Sequence, residues 1–476
     1  MAKLLFLQEM EYEYIGPTYL SAVAKRAGHD CGMGVGRTVQ DFEQLIGATR
    51  PDIVGFSTMT GSHDWAVGMA GKIKAAYGIP NVFGGPHPTF FPELIEEPTV
   101  DMIVRGEGEG ALCDILDRLD ARASLENVQN LCLKRSDGTI IRNELRPLME
   151  DLDALPFPDR HLYDCIDGRI DRSLCNVVTT RGCPYKCNFC CQDALRELYR
   201  GKGKYVRTRR IEKVIEECVQ LKNESGARAI YFRDDLFGLN KKWLYEFLKL
   251  YKREVGLEFM CLVRADIVCS DEQYASRLAE AGCRTVFWGI ESGDEQMRNL
   301  VLNKQLANEQ IIKAAGFLHR AGIKFLTFNI MGLPGETLAN AQSTVELNIA
   351  IRTDYPWCSL YFPLPRTRLT EYALDNGYLD PNYHATLSQQ TFYSSPSMRS
   401  PEIDRIENLQ RFFQTAVLWP WTYPLIKKLI HLRPNLLFKW WFGLIYFYVH
   451  TKGQNLNFWL TLKFAIRNVR HQFGKK

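Results

Sequence analysis

The feature that most constrains the fold is a repeated alternation of short apolar runs with helix-like stretches. In residues 1–121 the runs Lys3–Leu7, Asp52–Ser57, Asn81–Phe83 and Met102–Val104 are separated by segments of helical periodicity. Strands that alternate with helices in this way form a parallel sheet with helices on both faces. We therefore predict an α/β fold that begins with a doubly wound parallel-sheet domain.

The alternation returns in residues 174–365, where six apolar runs are again separated by helical stretches. Six β/α units predict a partial (β/α)6 barrel, which is smaller than the eight-unit version. The predicted strands are Leu174–Thr180, Ala229–Phe232, Phe259–Val263, Thr285–Trp288, Lys324–Ile330 and Cys358–Phe362.

The remaining segments are predicted to connect and extend these two domains. Residues 122–173 contain a hairpin pattern at Leu131–Asn143 and then the proline-stiffened stretch Leu155–Asp159. Residues 366–476 are predicted to form a mainly helical region that is rich in basic and aromatic side chains.

The composition excludes several classes of protein. With 46% hydrophobic and 24% charged residues, the chain is not disordered, collagen-like or coiled-coil. No run of ~20 apolar residues occurs and the mean hydropathy is −0.21, so we do not expect a membrane-spanning protein. The start, Met1–Tyr14, is too acidic for a signal peptide. The fourteen widely spaced cysteines then predict a reduced, cytoplasmic protein rather than a disulfide framework.

Glycine-rich and polar turns follow the predicted strands of the first block. Gly84, Gly85 and His87 lie just after one strand, and Glu107 and Gly108 lie just after another. Ligands of parallel sheets sit at the carboxyl ends of the strands, and paired glycines let the backbone approach a bulky ligand. The alternative is a tight turn that binds nothing.

Three cysteines follow the first predicted strand of the second block. Cys183, Cys187 and Cys190 have the spacing CxxxCxxC, which lets one loop wrap three thiolates around a small inorganic centre. A 4Fe–4S cluster normally takes four cysteine ligands. Three ligands leave one iron open to a substrate or cofactor, much as a catalytic zinc keeps an open position. Phe189, inside the loop, would exclude water from such a cluster.

Two other interpretations of these cysteines stay open. A structural zinc site needs a fourth ligand, and the candidates are Cys191, Cys175 or a distant histidine. Because adjacent side chains point in different directions, we expect Cys191 to be a buried thiol rather than a ligand. The second alternative is a chance cluster of buried cysteines.

The CxxxCxxC loop after a first barrel strand resembles the radical S-adenosylmethionine (radical SAM) superfamily. The resemblance implies that Cys183, Cys187 and Cys190 hold a 4Fe–4S cluster whose fourth iron binds S-adenosylmethionine. It also implies that an electron from the cluster cleaves the sulfonium to a 5′-deoxyadenosyl radical, which removes hydrogen from an unactivated C–H bond. An electron donor such as flavodoxin or ferredoxin is then an expected partner.

Turns at the ends of later strands extend the resemblance. Asp234 and Asp235 stand where the superfamily usually has Gly-Gly-Glu, which contacts the methionine amino group. Glu291 and Ser292 resemble its ribose and carboxylate contacts. The other implied cofactor-binding residues are Phe189, Arg264, Asn329 and Gly332, and the last two lie in or beside the turn on the adenine side.

The first block resembles the cobalamin-binding domain that precedes the barrel in many of these enzymes. The resemblance rests on Asp52–Ser57, Gly84–Thr89 and Val104–Glu109. It implies that His87 either contacts the corrin edge or serves as a turn residue between two prolines. The implied cobalamin-binding residues are Ser57, Thr58, Gly84, Gly85, His87, Glu107 and Gly108.

One departure from that family concerns the cobalt ligand. Many cobalamin domains carry Asp-x-His-x-x-Gly, whose histidine binds cobalt from below. This chain lacks the motif, and the nearest string, Asp159–Asp164, lies in the predicted linker. Either cobalamin binds without a protein histidine or the domain no longer binds it. An open lower face would suit methyl transfer, because weakly ligated cobalt releases its methyl group more readily.

Together the resemblances imply a cobalamin-dependent radical SAM enzyme that methylates an unactivated carbon of a hydrophobic small molecule. The alternative reaction is radical cyclisation, ring contraction or oxidation of a tetrapyrrole or isoprenoid lipid. A non-catalytic metal-binding protein that docks on membranes is the alternative from another class. No nucleic acid partner is expected, because RNA-modifying enzymes of this type usually need further cluster cysteines and none follows Cys358.

The charge of the chain is unevenly distributed. Residues 409–476 contain eleven Lys or Arg and no Asp or Glu, so within a net charge of +4 residues 1–408 carry −7. The interleaved aromatic residues suit a membrane interface, where cations meet anionic lipid. RNA binding and packing of a helical subdomain on the barrel are the alternatives. We expect peripheral contact with the inner membrane face through 409–476.

Overall fold

The computed structural model describes residues 1–383, 398–454 and 456–473. The chain forms two compact units. The first comprises Met1–Ile170 and Glu197–Lys204, and the second comprises Asp171–Arg196 and most of the chain from Tyr205 onward.

The first unit contains a parallel sheet that is buried on both faces. Along β1 (Lys3–Gln8), Leu4 and Phe6 pack into one apolar cluster while Leu5 and Leu7 pack into another. Such continuous apolar strands are typical of a doubly wound sheet, so the predicted fold class is confirmed for this unit. The other strands are β2 (Asp30–Val35), β3 (Ile53–Ser57), β4 (Asn81–Gly84) and β5 (Met102–Val104), and the helices are α1 (Ile15–Arg26), α2 (Gln40–Thr49), α3 (His63–Tyr77), α4 (Pro86–Phe90) and α5 (Glu109–Asp120).

The strand order of this sheet places a topological switch between β1 and β3. The parallel strands run in the order β2-β1-β3-β4-β5. Sheets of this order bind ligands at the carboxyl ends of the strands beside the switch. A hairpin, β6 (Leu131–Lys134) and β7 (Ile140–Arg142), continues the sheet antiparallel to β5. The segment predicted as a connector therefore contributes two strands to the first unit.

Strand β2 has no counterpart among the predicted strands. The glycines of β2 interrupt the apolar pattern that would predict a strand. They are required because neighbouring side chains pack closely against the β2 backbone. A Cβ atom at Gly34 would lie 2.9 Å from the Phe42 ring of α2 and 3.0 Å from the Leu7 side chain of β1. The short distance between strand and helix thus explains a sequence that lacks bulky strand-forming residues.

The second unit is built around six parallel strands, which confirms the partial (β/α)6 barrel. They run in chain order across the sheet, as β8-β11-β12-β13-β14-β15. The strands are β8 (Leu174–Val177), β11 (Ala229–Phe232), β12 (Glu258–Leu262), β13 (Cys283–Glu291), β14 (Lys324–Met331) and β15 (Tyr355–Leu360), and a small antiparallel pair is formed by β9 (Thr180–Arg181) and β10 (Arg207–Thr208). The helices are α6 (Cys191–Leu198), α7 (Ile211–Glu224), α8 (Lys241–Leu250), α9 (Ala265–Cys269), α10 (Gln273–Glu280), α11 (Asn308–Arg320) and α12 (Leu338–Ala350).

The two faces of the barrel sheet bury different side chains. Phe232 and Trp288 face the surrounding helices and belong to the largest apolar cluster. Tyr231, Phe287 and Phe328 alternate with them and belong to a second cluster on the inner face. The Tyr231 and Phe287 rings stack at 5.0 Å between centroids. The inner face of the barrel is therefore largely apolar and aromatic.

The C-terminal region is helical, as predicted, and part of it packs on the barrel. Helix α14 (Ile403–Leu418) covers the edge strand β15. The Gln410 and Gln414 side-chain amides donate to the carbonyls of Cys358 and Pro356 at 2.8 and 3.1 Å. These bonds satisfy carbonyl groups that an open sheet edge would leave unpaired. The helices here are α13 (Arg368–Asp375), α14 (Ile403–Leu418), α15 (Tyr423–Leu429), α16 (Leu436–Gly453) and α17 (Phe458–Phe473). Among the described residues, none of the helices has the length and apolar character needed to cross a bilayer.

Candidate active site

The three cysteines lie in one loop of the second unit, between β9 and α6. Cys187 is buried, and Cys183 and Cys190 are partly buried. Burial is the largest cause that raises the pKa of Cys183 to about 11, and the neighbouring Cys190 and Cys187 contribute to the rise. The three cysteines thus share one loop, and the charges of the other two would act on Cys183.

The loop is clamped at its middle by the end of β12. The Tyr185 hydroxyl donates to Asp266 Oδ2 at 2.9 Å, and the guanidinium of Arg264 lies 3.8 Å from the centroid of the Tyr185 ring. Arg264 is 2.9 Å from Asp266 as well. Arg264, which was predicted to contact the cofactor, is thus placed to hold the cysteine loop.

The segment after β13 provides a second clamp. The backbone N–H of Asn188 donates to the Leu302 carbonyl at 2.9 Å, and the Asn188 side-chain amide donates to the Val301 carbonyl at 2.9 Å. Gly182, just before the first cysteine, has φ 88°, and a Cβ atom there would lie 2.5 Å from the Tyr205 carbonyl oxygen. The loop is therefore held in one conformation before any ligand binds.

The structure separates the two adjacent aspartates that follow β11. Asp234 is 1% exposed and accepts the N–H groups of Thr179 and Thr180 at 2.6 and 3.1 Å. Burial raises its pKa to about 7 despite these bonds. The Asp234 carboxyl therefore holds the segment after β8, and its contact with the cofactor stays a prediction.

Asp235, in contrast, faces the cysteine loop. Its side chain accepts a hydrogen bond from the Gln192 amide at 2.9 Å and remains open to solvent. Surrounding protein raises its pKa to about 6, and its charge in turn raises the pKa of Cys183. Asp235 is therefore the aspartate of the pair that can reach a ligand beside the cysteines.

A buried ion pair lies at the end of β13. Lys304 Nζ is 2.8 Å from Glu291 Oε1, and both side chains are less than 10% exposed. A Cβ atom at Gly289 would lie 1.9 Å from Glu291 Oε1, so only glycine leaves room for this pair. Lys304 also lies 5.6 Å from the centroid of the Phe189 ring. Glu291 and Phe189 thus belong to the same site as the cysteine loop.

The positive charges beside this pair act on the cysteines. Burial raises the pKa of Cys187, whereas Lys304 and Arg264 oppose that rise. Lys304 was missed from the sequence, because it lies thirteen residues beyond Glu291 in an irregular segment and no motif marks it. An ion-pair partner for the acidic Glu291 was the only signal that could have indicated it.

Two predicted contacts are not presented to the site. Asn329 is 1% exposed and lies in a buried network, in which its amide donates to the Trp357 carbonyl at 2.9 Å and its carbonyl oxygen accepts from Asn348 at 2.8 Å. Ser292 is fully buried, and its hydroxyl accepts the Asp294 N–H. Alternation along β14 turns Asn329 toward the helices, and Ser292 is buried just after the end of β13. The contacts of both residues with the cofactor stay predictions.

The turn after β14 contains a buried glutamate, Glu336. Glu336 Oε2 accepts the N–H groups of Gly332 and Leu333 at 2.5 and 3.2 Å. Glu336 Oε1 is buried and has no partner among the described residues. Burial raises the pKa of Glu336 to about 8. Gly332 has φ 73°, which suits glycine at this tight turn.

In the first unit, the ends of β3 and β4 approach each other closely. The Thr58 N–H donates to the Gly84 carbonyl at 2.9 Å. Gly85 has φ 97°, and a Cβ atom there would lie 2.9 Å from the Thr58 carbonyl oxygen. The Thr58 hydroxyl is buried without a partner among the described residues, and Ser57 is partly exposed beside it. The predicted residues of this cradle are therefore brought together.

His87 is packed rather than presented. Its ring stacks between those of His63 and Phe91, with centroids at 3.7 and 4.7 Å, and its Nδ1 lies 3.1 Å from the Thr60 hydroxyl. Burial lowers its pKa to about 3, so it is neutral. His87 is 5% exposed, so its ring is packed in this turn, and the predicted contact with the corrin edge stays a prediction beside the role of a turn residue.

Glu107 and Gly108 form the turn that opens α5, at the end of β5. The Glu107 N–H donates to the Tyr199 hydroxyl at 2.8 Å, and the Glu107 carbonyl accepts from Asn130 at 2.9 Å. The Glu107 carboxylate accepts the Met149 N–H at 3.3 Å. The backbone of this turn is thus fixed from three sides, at the same edge of the sheet as Gly85.

Within the described residues, no three His, Cys, Asp or Glu side chains converge on a position for a single metal ion. Tetrahedral zinc draws its ligands to within about 2.3 Å of one point. The thiolates of a 4Fe–4S cluster bind separate iron atoms instead. Three thiols on one clamped loop therefore match the donor set of a cluster.

Comparison with known proteins agrees with this geometry. Residues 177–347 match the model of the radical SAM superfamily, and residues 9–116 match that of the B12-binding domain. The chain is 34% identical over 376 residues to the uncharacterized methyltransferase PH0819 of Pyrococcus horikoshii, covering 77% of this chain and 79% of that protein. The chain belongs to the radical SAM superfamily. As a member with a B12-binding domain, it uses a 4Fe–4S cluster, S-adenosylmethionine and cobalamin.

Other relatives differ in their named reactions. The anaerobic magnesium-protoporphyrin IX monomethyl ester cyclase of Rubrivivax gelatinosus is 26% identical, over 83% of this chain and 71% of that protein. The cytidylyl-2-hydroxyethylphosphonate methyltransferase of Streptomyces wedmorensis is 23% identical, over 76% of this chain and 74% of that protein. The radical SAM fold is thus shared by relatives named for different chemistry.

Two solved structures share the fold. The radical SAM methyltransferase TsrM from Kitasatospora setae, with cobalamin and a [4Fe-4S] cluster bound, matches with a TM-score of 0.66 at 19% identity, covering 80% of each chain. OxsB, with aqua-cobalamin and S-adenosylmethionine bound, matches with a TM-score of 0.62 at 21% identity, covering 79% of this chain and 55% of that chain. At these identities the likeness concerns the fold.

The residues of this radical SAM enzyme fit its cofactors. Cys183, Cys187 and Cys190 supply a three-thiol donor set near compensating positive charge. In the first unit, the partnerless hydroxyl of Thr58 and the close approach at Gly85 form a cradle at the strand ends, where such sheets bind their ligands. The sequence stretch most similar to the Asp-x-His-x-x-Gly cobalt-ligand motif is Asp159–Asp164. Its histidine, His161, is exposed and pairs with Asp164.

We expect Cys187→Ser to abolish cluster binding and Cys191→Ser to preserve it. Serine keeps the size of the side chain but removes the thiolate that an iron–sulfur cluster requires. The measurement is iron and acid-labile sulfide per chain after anaerobic reconstitution, together with visible absorption. Equal loss in both variants would restore Cys191 as a ligand, and zinc without sulfide in the wild type would exclude the cluster.

Asp235→Asn and Asp234→Asn are expected to have different effects. Removing the Asp235 charge should weaken S-adenosylmethionine binding by about 10- to 100-fold, the value of a charge-assisted hydrogen bond, with little change in Tm. Asp234→Asn should lower the Tm, because Asp234 accepts buried N–H groups. Equilibrium binding and thermal unfolding of the reconstituted proteins distinguish the two. The assignment fails if Asp234→Asn weakens binding while Asp235→Asn does not.

Glu336 should make stability depend on pH. Its pKa is about 8 in the fold and its ordinary value is 4.5, so ionisation destabilises the folded state. This cost is absent below pH 4.5, grows as pH rises and is complete above about pH 8. Glu336→Gln should therefore gain Tm relative to wild type between pH 6 and pH 9. Thermal unfolding of the apoproteins tests this, with the exposed Glu272→Gln as the control that shows no such trend.

Proposed function

We propose that the chain is a cobalamin-dependent methyltransferase that acts on an unactivated carbon of a hydrophobic small molecule. The observation that carries the proposal is the grouping of three cysteine thiols with Asp235, Lys304 and Glu291 at the carboxyl ends of barrel strands. That face is where barrels of this kind place their catalytic groups. The relative at 34% identity, which is named as a methyltransferase, supports methyl transfer as the reaction.

Within this proposal the side chains of the chain have distinct tasks. The cysteines ligate the cluster, and Asp235 binds the ammonium group of S-adenosylmethionine. Lys304 orients Glu291 toward the ribose and balances negative charge near Cys187. When bound, the cluster and S-adenosylmethionine supply a 5′-deoxyadenosyl radical that removes a hydrogen atom, and cobalamin supplies the methyl group.

The inner face of the barrel supports a hydrophobic substrate. Tyr231, Phe287 and Phe328 stack along this face, with centroids at 5.0 and 6.3 Å between successive rings. Leu262 and Trp357 pack against the same cluster. Stacked rings favour flat or aliphatic molecules over charged ones, because an ion would lose its hydration without gaining a partner.

Radical cyclisation is a second candidate, and the relative named as a magnesium-protoporphyrin IX monomethyl ester cyclase favours it. The alignment with that relative covers 83% of this chain. Cyclisation and methylation share the hydrogen abstraction step but differ in the use of S-adenosylmethionine. Methylation consumes a second molecule as the methyl source and releases S-adenosylhomocysteine, whereas cyclisation releases only 5′-deoxyadenosine and methionine.

Product analysis of the holoenzyme tests the proposal. Reconstituted protein is incubated anaerobically with methyl-deuterated S-adenosylmethionine, a one-electron reductant and a total lipid extract. We expect 5′-deoxyadenosine, S-adenosylhomocysteine and a lipid-soluble product that carries the deuterated methyl group, and we expect Cys187→Ser to form no 5′-deoxyadenosine. Formation of 5′-deoxyadenosine without S-adenosylhomocysteine would favour cyclisation. Absence of both from iron-loaded protein would refute the enzyme assignment.

A further inference from the structure

One face of α16 exposes a continuous stripe of apolar side chains. Leu437, Trp440, Trp441, Leu444 and Tyr448 follow helical spacing and are between 37% and 76% exposed. The opposite face is well packed, and its inward residues, Phe442, Ile445 and Val449, are buried. An exposed apolar stripe on a helix that is otherwise anchored marks a surface for interaction rather than a folding defect.

Further apolar side chains are exposed in the turn before α15, on α15 and at the first residue of α16. Trp421, Leu425 and Leu436 are 80%, 60% and 80% exposed. The inner sides of both helices share one core, to which α15 contributes Ile426 and α16 contributes the partly buried Phe438. We call the outward residues from Trp421 to Lys452 the tail surface. Its apolar residues are Trp421, Leu425, Leu436, Leu437, Trp440, Trp441, Leu444 and Tyr448.

The charges around this surface identify its partner. Residues 409–476 contain no acidic residue, and the basic side chains of Lys428, Arg433 and Lys452 are exposed among the apolar ones. Tryptophan and tyrosine favour the headgroup level of a bilayer, while lysine and arginine bind anionic lipid. The combination matches helices that lie in the plane of a membrane surface.

Other partners fit these residues less well. A symmetric dimer through the tail surface would bring together two basic surfaces without an acidic side chain, and such like-charge contacts oppose association. Nucleic acid binding uses aromatic rings to stack bases, but Leu437 and Leu444, which are part of the stripe, offer no ring. Both aliphatic and aromatic side chains pack against lipid acyl chains, so acyl chains fit the whole stripe.

We propose that the tail surface docks on an anionic lipid membrane. Trp440 and Leu444 insert at the boundary between headgroups and acyl chains, and Lys428 and Arg433 face the anionic headgroups. These residues lie outside the cysteine site, so the docking surface stands or falls separately from the proposed reaction.

Vesicle flotation of the holoenzyme tests the apolar part of the surface. We expect the protein to float with phosphatidylcholine vesicles that contain phosphatidylglycerol, and Trp440→Asp with Leu444→Asp to bind at least about tenfold more weakly. The matched control is Leu300→Glu, at a residue that is 77% exposed outside the tail surface. Thermal unfolding and 5′-deoxyadenosine formation without vesicles show that the variants are folded.

The charge part is tested by variants that leave the apolar stripe intact. Lys428→Gln with Arg433→Gln should weaken binding to anionic vesicles by about 30-fold, since each cation near the surface contributes about one kcal/mol. Lys242→Gln with Lys249→Gln, at exposed lysines of α8, should change nothing. Equal binding to neutral and anionic vesicles would overturn the proposal. It would also be overturned by self-association or tRNA binding through these residues without vesicle binding.

Discussion

The structure depends on one constraint. Parallel strands that are buried on both faces can place polar functional groups only at the ends of the strands. In the first unit, alternate residues of β1 enter separate apolar clusters, so neither face can receive a cofactor. In the second unit, the outer face is covered by helices and the inner face by aromatic rings. The polar groups therefore collect at the carboxyl ends, where backbone N–H and C=O groups have left the ladder and can bind side chains or ligands.

Placing three cysteines together at the strand ends has an electrostatic cost. Thiolates crowded in a buried loop repel each other, and burial alone raises their pKa values. Arg264 and Lys304 counter both effects, yet neither is itself unpaired. Arg264 lies against Asp266 and the Tyr185 ring, and Lys304 lies against Glu291. The site thus places positive charge beside the cluster ligands without leaving a lone cation in the interior, which would be costly.

The fold could be predicted from strand periodicity and motif spacing. The site could be predicted only in part, because these patterns do not show which way a side chain points. The six barrel strands were predicted because each is apolar on both faces, but β2 was not, because Gly34 replaces bulk with close packing. Asn329 lies inside β14 and faces α12, whereas Asp235 lies three residues after the end of β11 and faces the cysteines. One residue of register within a strand reverses the direction of a side chain, and a predicted strand end does not fix that register. Lys304 was missed because its partner is distant in sequence and its segment has no periodicity.

Helix α16 packs on the barrel with one side and is exposed at the surface of the second unit with the other. Its inner side meets β15, where Tyr446 lies 4.6 Å from the Trp357 ring. His450, one turn later, is partly buried, and the surrounding protein lowers its pKa to about 4, so this contact carries no charge. Trp357 packs against the inner-face cluster that includes Tyr231 and Phe287. The apolar interior and the exposed stripe of α16 are therefore separated by one helix, which is about 10 Å across.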